Sequence, residues 1–495
     1  MNAHDAHDGL NPARALARRA VLALTRLAAL ALLGLVAPAS LRAADGDLDP
    51  RFGGDGIVTI PFDLGAFKSD LGTSVVELDG HRLLVAGSIT LGDMATPRAV
   101  AAAQLTATAS VDGSFGGGDG RVDYTWGTST WDLVAAARTS AGEILLAGSV
   151  QWSLTDLDFL VLRLMPDGTL DPRFGDGDGY VTIPFDVNPG GSIFDLASSL
   201  MVTSSGDILV AGTVQRAGGN WDMAVARLTP SGALDPSFGE GSGKVVVAFD
   251  AGGFAGQDQA LAIFPSGDGA IVLVGGCENG GSTNTDFAIA LLDQGGHLVA
   301  DFGSGGKLVL PFDLVGSGKD YAYAGAADGR GRIYAAGRAQ TSSGYTAAAV
   351  ACVTWSGAAC AGFGDAGRVH FSLANPPQDH ERLTGIAVDD LGRILASGTA
   401  YAADRDVAVV RLLPSGALDT SFAGTGVRVI DLNHGPGGDD DEAIGLTLVS
   451  GEPVVVGATE YNDVDDVFFV LRLFAGLIQA DDFESGTFAG WPDTP

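Results

Sequence analysis

Seven carboxylates recur at one place in a repeating pattern: Asp70, Asp132, Asp195, Asp258, Asp320, Glu381 and Glu442. Each precedes, by a near-constant interval, a glycine that closes an apolar segment: Gly87, Gly148, Gly212, Gly276, Gly337, Gly398 and Gly457. Acids gathered around one mouth repel one another unless backbone N–H groups or a bound cation compensate them. Two chemistries therefore compete. One is architectural, each acid satisfying backbone donors where its strand begins, as a position common to all repeats normally does. The other is a mouth for a cation or a basic ligand, reinforced near the end of the chain by Asp439, Asp440 and Asp441. A second oxygen-rich stretch, DGDG at Asp176 to Gly179, offers Asp176 and Asp178 to a hard cation, with calcium the fitting ion. It lacks the spacing and terminal acid of an EF-hand, and glycine–aspartate turns also arise from positive-φ demands alone.

Catalytic signals are poor. No serine stands in G-x-S-x-G, and neither a P-loop nor H-E-x-x-H occurs. His81, His297, His370, His380 and His434 fall in unrelated repeat positions. The residues thus point away from an enzyme, with one alternative kept: acid pairs drawn from the seven carboxylates have the chemistry for glycan hydrolysis or lysis. Trp126, Trp131, Trp152 and Trp221 offer either a sugar platform or packing between units.

The elements that position these residues follow from a repeat. GTLDPRFGDGDGYVTIPF (Gly168 to Phe185) returns as LDPRFGGDGIVTIPF from Leu48 and LDPSFGEGSGKVVVAF from Leu234. Weaker copies stand around Phe115, Phe302, Phe363 and Phe422, a period of about sixty residues. Between copies lie short apolar segments such as DLVAAARTS, EILLAGS and DFLVLRL, β-branched and flanked by Gly, Asp and Ser, which read as strands. Hydrophobic content of 46% with 73 glycines and no G-X-Y period fits a packed, turn-rich β protein. Four strands in each of seven units predict an all-β fold: a seven-bladed β-propeller of four-stranded antiparallel blades.

Pro61, Pro184 and Pro311 lie in the strand after the FG turn, and proline donates no N–H, so this strand belongs at the outer edge. Segments rich in small residues, such as LVAAARTS, YAYAGAA and LTGIAV, belong nearest the axis. The first outer strand, Ile57 to Phe62, precedes the first inner one, while the last unit ends after its third strand at Leu473. The amino-terminal strand is therefore expected to complete the last blade and close the ring. PDG at Pro166 and PSG at Pro230 and Pro414 are built turns.

The set LDPSFGxGxGKV, DILVAGT and DMAVARLTPSG resembles the bacterial delta-60 repeat family, a group of exported β-propeller proteins. The resemblance covers Asp47 to Leu473, is specific in the first three units and degrades in the fifth (VACVTWSGAACAGFG) and seventh. It implies a propeller and export, and supplies no activity, ligand or catalytic residue.

Residues 1–44 read as a signal peptide: Arg14, Arg18, Arg19 and Arg26, an uncharged apolar run from Leu27 to Leu41, and small residues at Ala37, Ala39, Ala43 and Ala44. The run is shorter than the ~20 residues of a membrane span, so no transmembrane segment is expected. Residues 45–475 form the propeller and 476–495 a short carboxy-terminal tail. The chain is expected to be a monomer in the periplasm, on the cell surface or outside the cell. A net charge of −32 argues against nucleic acid and anionic membrane as partners. Cys352 and Cys360 are placed to close a short loop, leaving Cys277 over, with the pairing open. The functional expectation is an extracytoplasmic binding scaffold for a protein or glycan, with no resident cofactor unless calcium. The alternatives are a glycan hydrolase or lyase using the acids, and a passive surface or matrix component. The connections GAFKSD, NPGGSIFD, AGGFAGQD, VGSGKD, ANPPQDHE and NHGPGGDDDE vary most, and variation in repeats collects on the binding face.

Overall fold

The structure, a computed structural model, describes residues 44–62, 69–91, 98–125, 130–188, 193–253, 256–267, 269–316, 318–342, 345–374, 380–401, 404–432, 440–461 and 465–476. The chain divides into two units, Met1–Ala44 and Asp45–Pro495, and apart from Ala44 the described residues belong to the second. The expected signal peptide, but for Ala44, and the tail beyond residue 476 lie outside the described residues.

The segments that sequence marks as apolar and β-branched are strands, and the described residues contain no α-helix, only three-residue 3-10 turns. No helix among them is long and apolar enough to cross a membrane. Five sheets have four strands and one has eight. Within each group of four the strands run antiparallel, and the group opens on a first strand: Leu71–Glu77, Thr130–Arg138, Ile193–Val202, Asp258–Pro265, Tyr321–Ala327, Arg382–Val388 or Asp441–Val449. The eight-stranded sheet is two such groups joined by a short parallel contact of Ile193 and Phe194 with Asp156 and Leu157. Strand Ile57–Ile60 pairs with Asp465–Arg472, placing Ile57 opposite Leu471, so the amino-terminal strand completes the carboxy-terminal sheet.

Pro61, Pro184 and Pro311 stand directly after the fourth strands Ile57–Ile60, Tyr180–Ile183 and Lys307–Leu310 rather than inside them. The missing N–H ends the ladder there. Each of these strands is nevertheless an edge, bonded only to the third strand of its sheet.

The core lies between sheets. Leu84, Ala86 and Val100 of one sheet pack with Leu146, Leu160 and Leu162 of the next around Phe115. Another cluster joins the last sheet to the first, with Val454, Val456 and Phe468 against Val85 and Ala101. Every copy of the turn motif buries its phenylalanine: Phe52, Phe115, Phe174, Phe238, Phe302, Phe363 and Phe422 are at most 1% exposed. Burial of one such ring contributes roughly 1.5–3 kcal/mol. A third-strand arginine covers several of them, with Arg163 4.8 Å from Phe174, Arg227 4.8 Å from Phe238 and Arg411 5.0 Å from Phe422. The same guanidiniums pair with the aspartate of LDxxF, at 2.9 Å for Asp171 and 2.8 Å for Asp235 and Asp419. That aspartate is therefore a staple, holding a largely buried cation against the ring beneath it. Cys352 and Cys360 form a disulfide with Cα atoms 5.4 Å apart, and Cys277 is a free, buried thiol.

Candidate functional site

Near the start of five first strands stands a buried acid. Asp70, Asp195, Asp258, Asp320 and Glu381 are at most 2% exposed. Four of them accept a backbone N–H from just past the end of the preceding fourth strand: Asp195 from Phe185 at 2.6 Å, Asp258 from Phe249 at 2.5 Å, Asp320 from Phe312 at 3.0 Å and Glu381 from Leu373 at 2.8 Å. Asp70 accepts the N–H of Thr90 at 3.2 Å, as Asp320 also accepts that of Gln340 at 2.9 Å. Burial pushes the carboxyls up, Asp195 to about 6 and Asp258 to about 7, against the pull of those N–H groups.

Asp132 and Glu442 stand one residue later in the register. In their strands the place opposite Val150 belongs to Trp131 and the place opposite Thr459 to Asp441, as Asp195 is opposite Val214. Asp441 is fully buried and accepts the Leu432 N–H at 2.8 Å. Counting back to the glycine absorbs one-residue differences between strands, and in a strand one residue changes the face. The fourth landmark shifts likewise. A Cβ at Gly275 would strike the Gln259 carbonyl, as one at Gly212 would strike Leu196, whereas Gly276 faces the Tyr321 ring.

Asp132 and Glu442 thus share a position with Leu71, Leu196, Gln259, Tyr321 and Arg382, all half-buried or exposed. Two residues further on, each pairing of first and second strand skips a residue. The skipped residues are Thr73, Val134, Ser198, Leu261, Tyr323, Thr384 and Ile444. A β-bulge re-aims its unpaired side chain, and these seven line one open cavity of about 440 Å³. The landmark glycines make the bulge possible, because only a residue without Cβ lets the second strand approach the first so closely.

Hydroxyls in this wall tie neighbouring first strands together. Ser198 Oγ donates to the Ala260 carbonyl and Thr384 Oγ1 to that of Ala443, both at 2.6 Å. Charge gathers on one arc, where Glu442 lies 3.1 Å from Arg382 and also accepts a hydrogen bond from Arg405, itself 3.5 Å from Asp440. Asp132 pairs with Arg98 at 3.1 Å. Tyr321 and Tyr323 stack with centroids 6.1 Å apart, and the Arg338 guanidinium lies 5.4 and 5.8 Å from their rings.

The remaining candidates fall elsewhere. Asp176 and Asp178 are exposed in a turn whose glycines Gly175, Gly177 and Gly179 have φ of 65°, 97° and 85°, and Asp178 accepts the Tyr180 N–H at 3.4 Å. Trp152 donates to Asp158 at 2.9 Å and Trp221 stacks on Phe194 at 6.4 Å, so neither lines the cavity. Trp126, Asp439 and much of the variable connections lie outside the described residues. The bulge residues escaped the sequence reading. Their signal is one position, inside an otherwise small-residue strand, where Thr, Val, Ser, Leu, Tyr and Ile interchange.

Three stretches of the chain, 140–174, 203–238 and 392–422, match the model of DUF5122, a domain of unknown function described as a beta-propeller. These matches support a β-propeller repeat family. No curated protein matches the sequence. Similar solved structures include a protein of unknown function from Dyadobacter fermentans, at 13% identity over 68% of this chain and 93% of that one, with a TM-score of 0.42. They also include an ulvan lyase of a polysaccharide lyase family, at 11% identity over 86% and 100% with a TM-score of 0.43. A third is a Trypanosoma rangeli sialidase, at 9% identity over 86% and 59% with a TM-score of 0.39. The expectation of a non-enzyme is corrected by this finding. Enzymes, a polysaccharide lyase and a sialidase, stand among the similar structures.

Proposed function

We propose that residues 45–475 form a seven-bladed propeller of the delta-60 type, closed into a ring, exported, and used to bind a neutral glycan at the mouth of its central cavity. Closure is supported by the pairing of Ile57–Ile60 with the carboxy-terminal sheet and by the core shared between the last sheet and the first. Export is supported by the character of residues 1–44.

The observation that carries the binding reading is the contrast between adjacent positions on the first strands. The opening position is a buried acid in six of seven, which is the mark of architecture. The bulge position, which lines the cavity, and the half-buried or exposed position two residues before it differ from strand to strand, and variation of that kind belongs to a binding face. The residue types suit a saccharide: aromatic faces at Tyr321 and Tyr323, charged donors and acceptors at Arg382, Glu442 and Asp132, and a cavity of about 440 Å³, within the range of small-ligand sites. With a net charge of −32 the chain repels polyanions at long range, which favours a neutral glycan.

The test is calorimetric titration with a panel of neutral oligosaccharides, using the Tyr323→Ala and Arg382→Ala variants beside the parent. A saccharide that binds the parent and is weakened tenfold or more in both variants, with melting temperatures held, supports the site. Equal binding by parent and variants, or no ligand in the panel, removes it. One observation favours a second reading in which the glycan is cleaved: Asp132 and Glu442 are partly exposed carboxylates beside the cavity, each held by arginine. In that case Glu442→Gln lowers product release from the same saccharide while leaving its binding in place.

A further inference from the structure

Behind the opening acids, two further carboxylates recur, one near the start of the preceding third strand and one just after the preceding fourth strand. Asp158 and Asp186 thus accompany Asp195, and Asp222 and Asp250 accompany Asp258. In both groups a lysine supplies the opposing charge. The Lys244 ammonium acts on Asp158, Asp186 and Asp195 while donating to the Pro184 carbonyl. Lys307 acts on Asp222 and donates to the Ala248 carbonyl at 2.8 Å. Both lysines open a fourth strand, opposite Ala226 and Ala290 respectively.

The group Asp406, Asp431 and Asp441 repeats this arrangement, with one oxygen from each acid lying within 4.8 Å of the others. The place of the lysine, however, is taken by Ile57, opposite Leu471 at the start of the amino-terminal strand. Two buried polar atoms stand out at this junction. Asp441 is fully buried and its Oδ1 has no hydrogen-bond partner, while Oδ2 serves Leu432. Thr459, opposite Asp441 in the strand pair and also fully buried, lies close enough to steady that carboxylate, yet its Oγ1 completes no hydrogen bond. A buried carboxylate oxygen and a buried hydroxyl left over beside two more carboxylates are what a cation with oxygen ligands would satisfy.

We propose that Asp406, Asp431 and Asp441, with the Thr459 hydroxyl beside them, bind one divalent cation of the calcium type, which does for this junction what a lysine does for the two others. Hard oxygen donors favour calcium over softer metals, and Asp431, the one exposed acid of the three, leaves an approach from solvent. The site joins the carboxy-terminal sheet to its neighbour, so occupancy should raise the stability of the fold. The proposal is independent of the glycan reading, since none of these residues lines the cavity.

The experiment compares the full chain, stripped with chelator, in thermal unfolding and calorimetric titration with calcium chloride, magnesium chloride or zinc chloride. The parent should bind one calcium and melt several degrees higher with millimolar calcium, with a smaller response to magnesium and none specific to zinc. Asp431→Asn, a change at the exposed ligand, should weaken calcium binding at least tenfold. Ile57→Lys, which installs the internal ammonium of the other junctions, should abolish it while leaving the chain folded. Asp186→Asn, at a junction already holding a lysine, should leave it unchanged. No calcium binding by the parent, or binding that survives Asp431→Asn, overturns the proposal. If Ile57→Lys fails to fold, the contrast between Asp431→Asn and Asp186→Asn still decides.

Discussion

The carboxylate of Asp195 accepts the backbone N–H of Phe185 at 2.6 Å, so the residue that opens one strand pins the point where the chain leaves the preceding sheet. The contact spans the connection between two sheets' strands, and the acid does this from a buried position. Asp195→Ala strands the Phe185 N–H in the interior and should cost roughly 1–3 kcal/mol, whereas Asp195→Asn keeps an acceptor and should cost less. Urea unfolding of the two variants beside the parent measures the difference. An alanine variant as stable as the asparagine one would mean that the bond is incidental.

Arg411 is the one arginine among the largest fully buried side chains, held by Asp419 at 2.8 Å and Asp45 at 3.0 Å over the ring of Phe422. Removing it leaves buried carboxylate unpaired, so Arg411→Ala should lose about 3–5 kcal/mol. Arg173 also pairs with a motif aspartate, Asp171, at 2.9 Å, but its side chain is 62% exposed. Arg173→Ala should therefore stay within about 0.5 kcal/mol of the parent. Calorimetric melting separates the two, and equal losses would contradict the assignment of the buried arginine as the staple.

These contacts mark how far the chain could be read from its residues. Strand existence and the four-strand unit were legible because short β-branched apolar segments and the turn phenylalanine recur in every copy. The acids were legible as a class, and Asp195, Asp258, Asp320 and Glu381 do what a repeated acid at a strand start does. Asp132 and Glu442 were misplaced by one residue because spacing to a glycine carries no information about which face a strand residue takes. The cavity wall was illegible for a related reason: a bulge adds a residue without changing composition, so Thr73 and Tyr323 look like any other strand position until the pairing is known. The grouping of Asp406, Asp431 and Asp441 depends on contacts between sheets that no local pattern encodes.

Stability should peak in mildly acidic solution. Burial raises Asp195 to about 6 and Asp258 to about 7, with Asp158 and Asp186 facing the first and Asp222 and Asp250 the second. The unfolded chain releases these protons near the ordinary aspartate value of 3.8 while the folded chain keeps them. Folded chain therefore binds more protons between those values, and stability falls as pH rises from about 4 to about 7. Asp112 and Asp171 run the other way. The Ser114 N–H and the Arg173 guanidinium respectively lower them to about 2, so their contribution is present above 3.8 and lost as pH falls toward 2. Urea midpoints should be higher at about pH 4 than at either about pH 2 or about pH 7.5, and Asp258→Asn should flatten the upper limb. A midpoint that climbs steadily to pH 7.5 would refute the assignment.

Cys277 offers a check that needs no variant. It stands opposite Asp258 in the strand pair, and burial, with the charges of Asp258 and Asp286, pushes its thiol well above the usual range. A thiolate there would have to form in the interior beside carboxylates, so the group should be inert to reagents that attack thiolate. Native protein should therefore react with no thiol reagent, denatured protein without reductant should expose one thiol, and denatured, reduced protein all three cysteines. Reduction of Cys352–Cys360, which closes a loop with a sequence separation of 8, should lower stability by about 2–3 kcal/mol on chain-entropy grounds. Two thiols reacting in the native state without reductant would show that this pair is open in solution, and one would show that the sheet around Cys277 admits solvent.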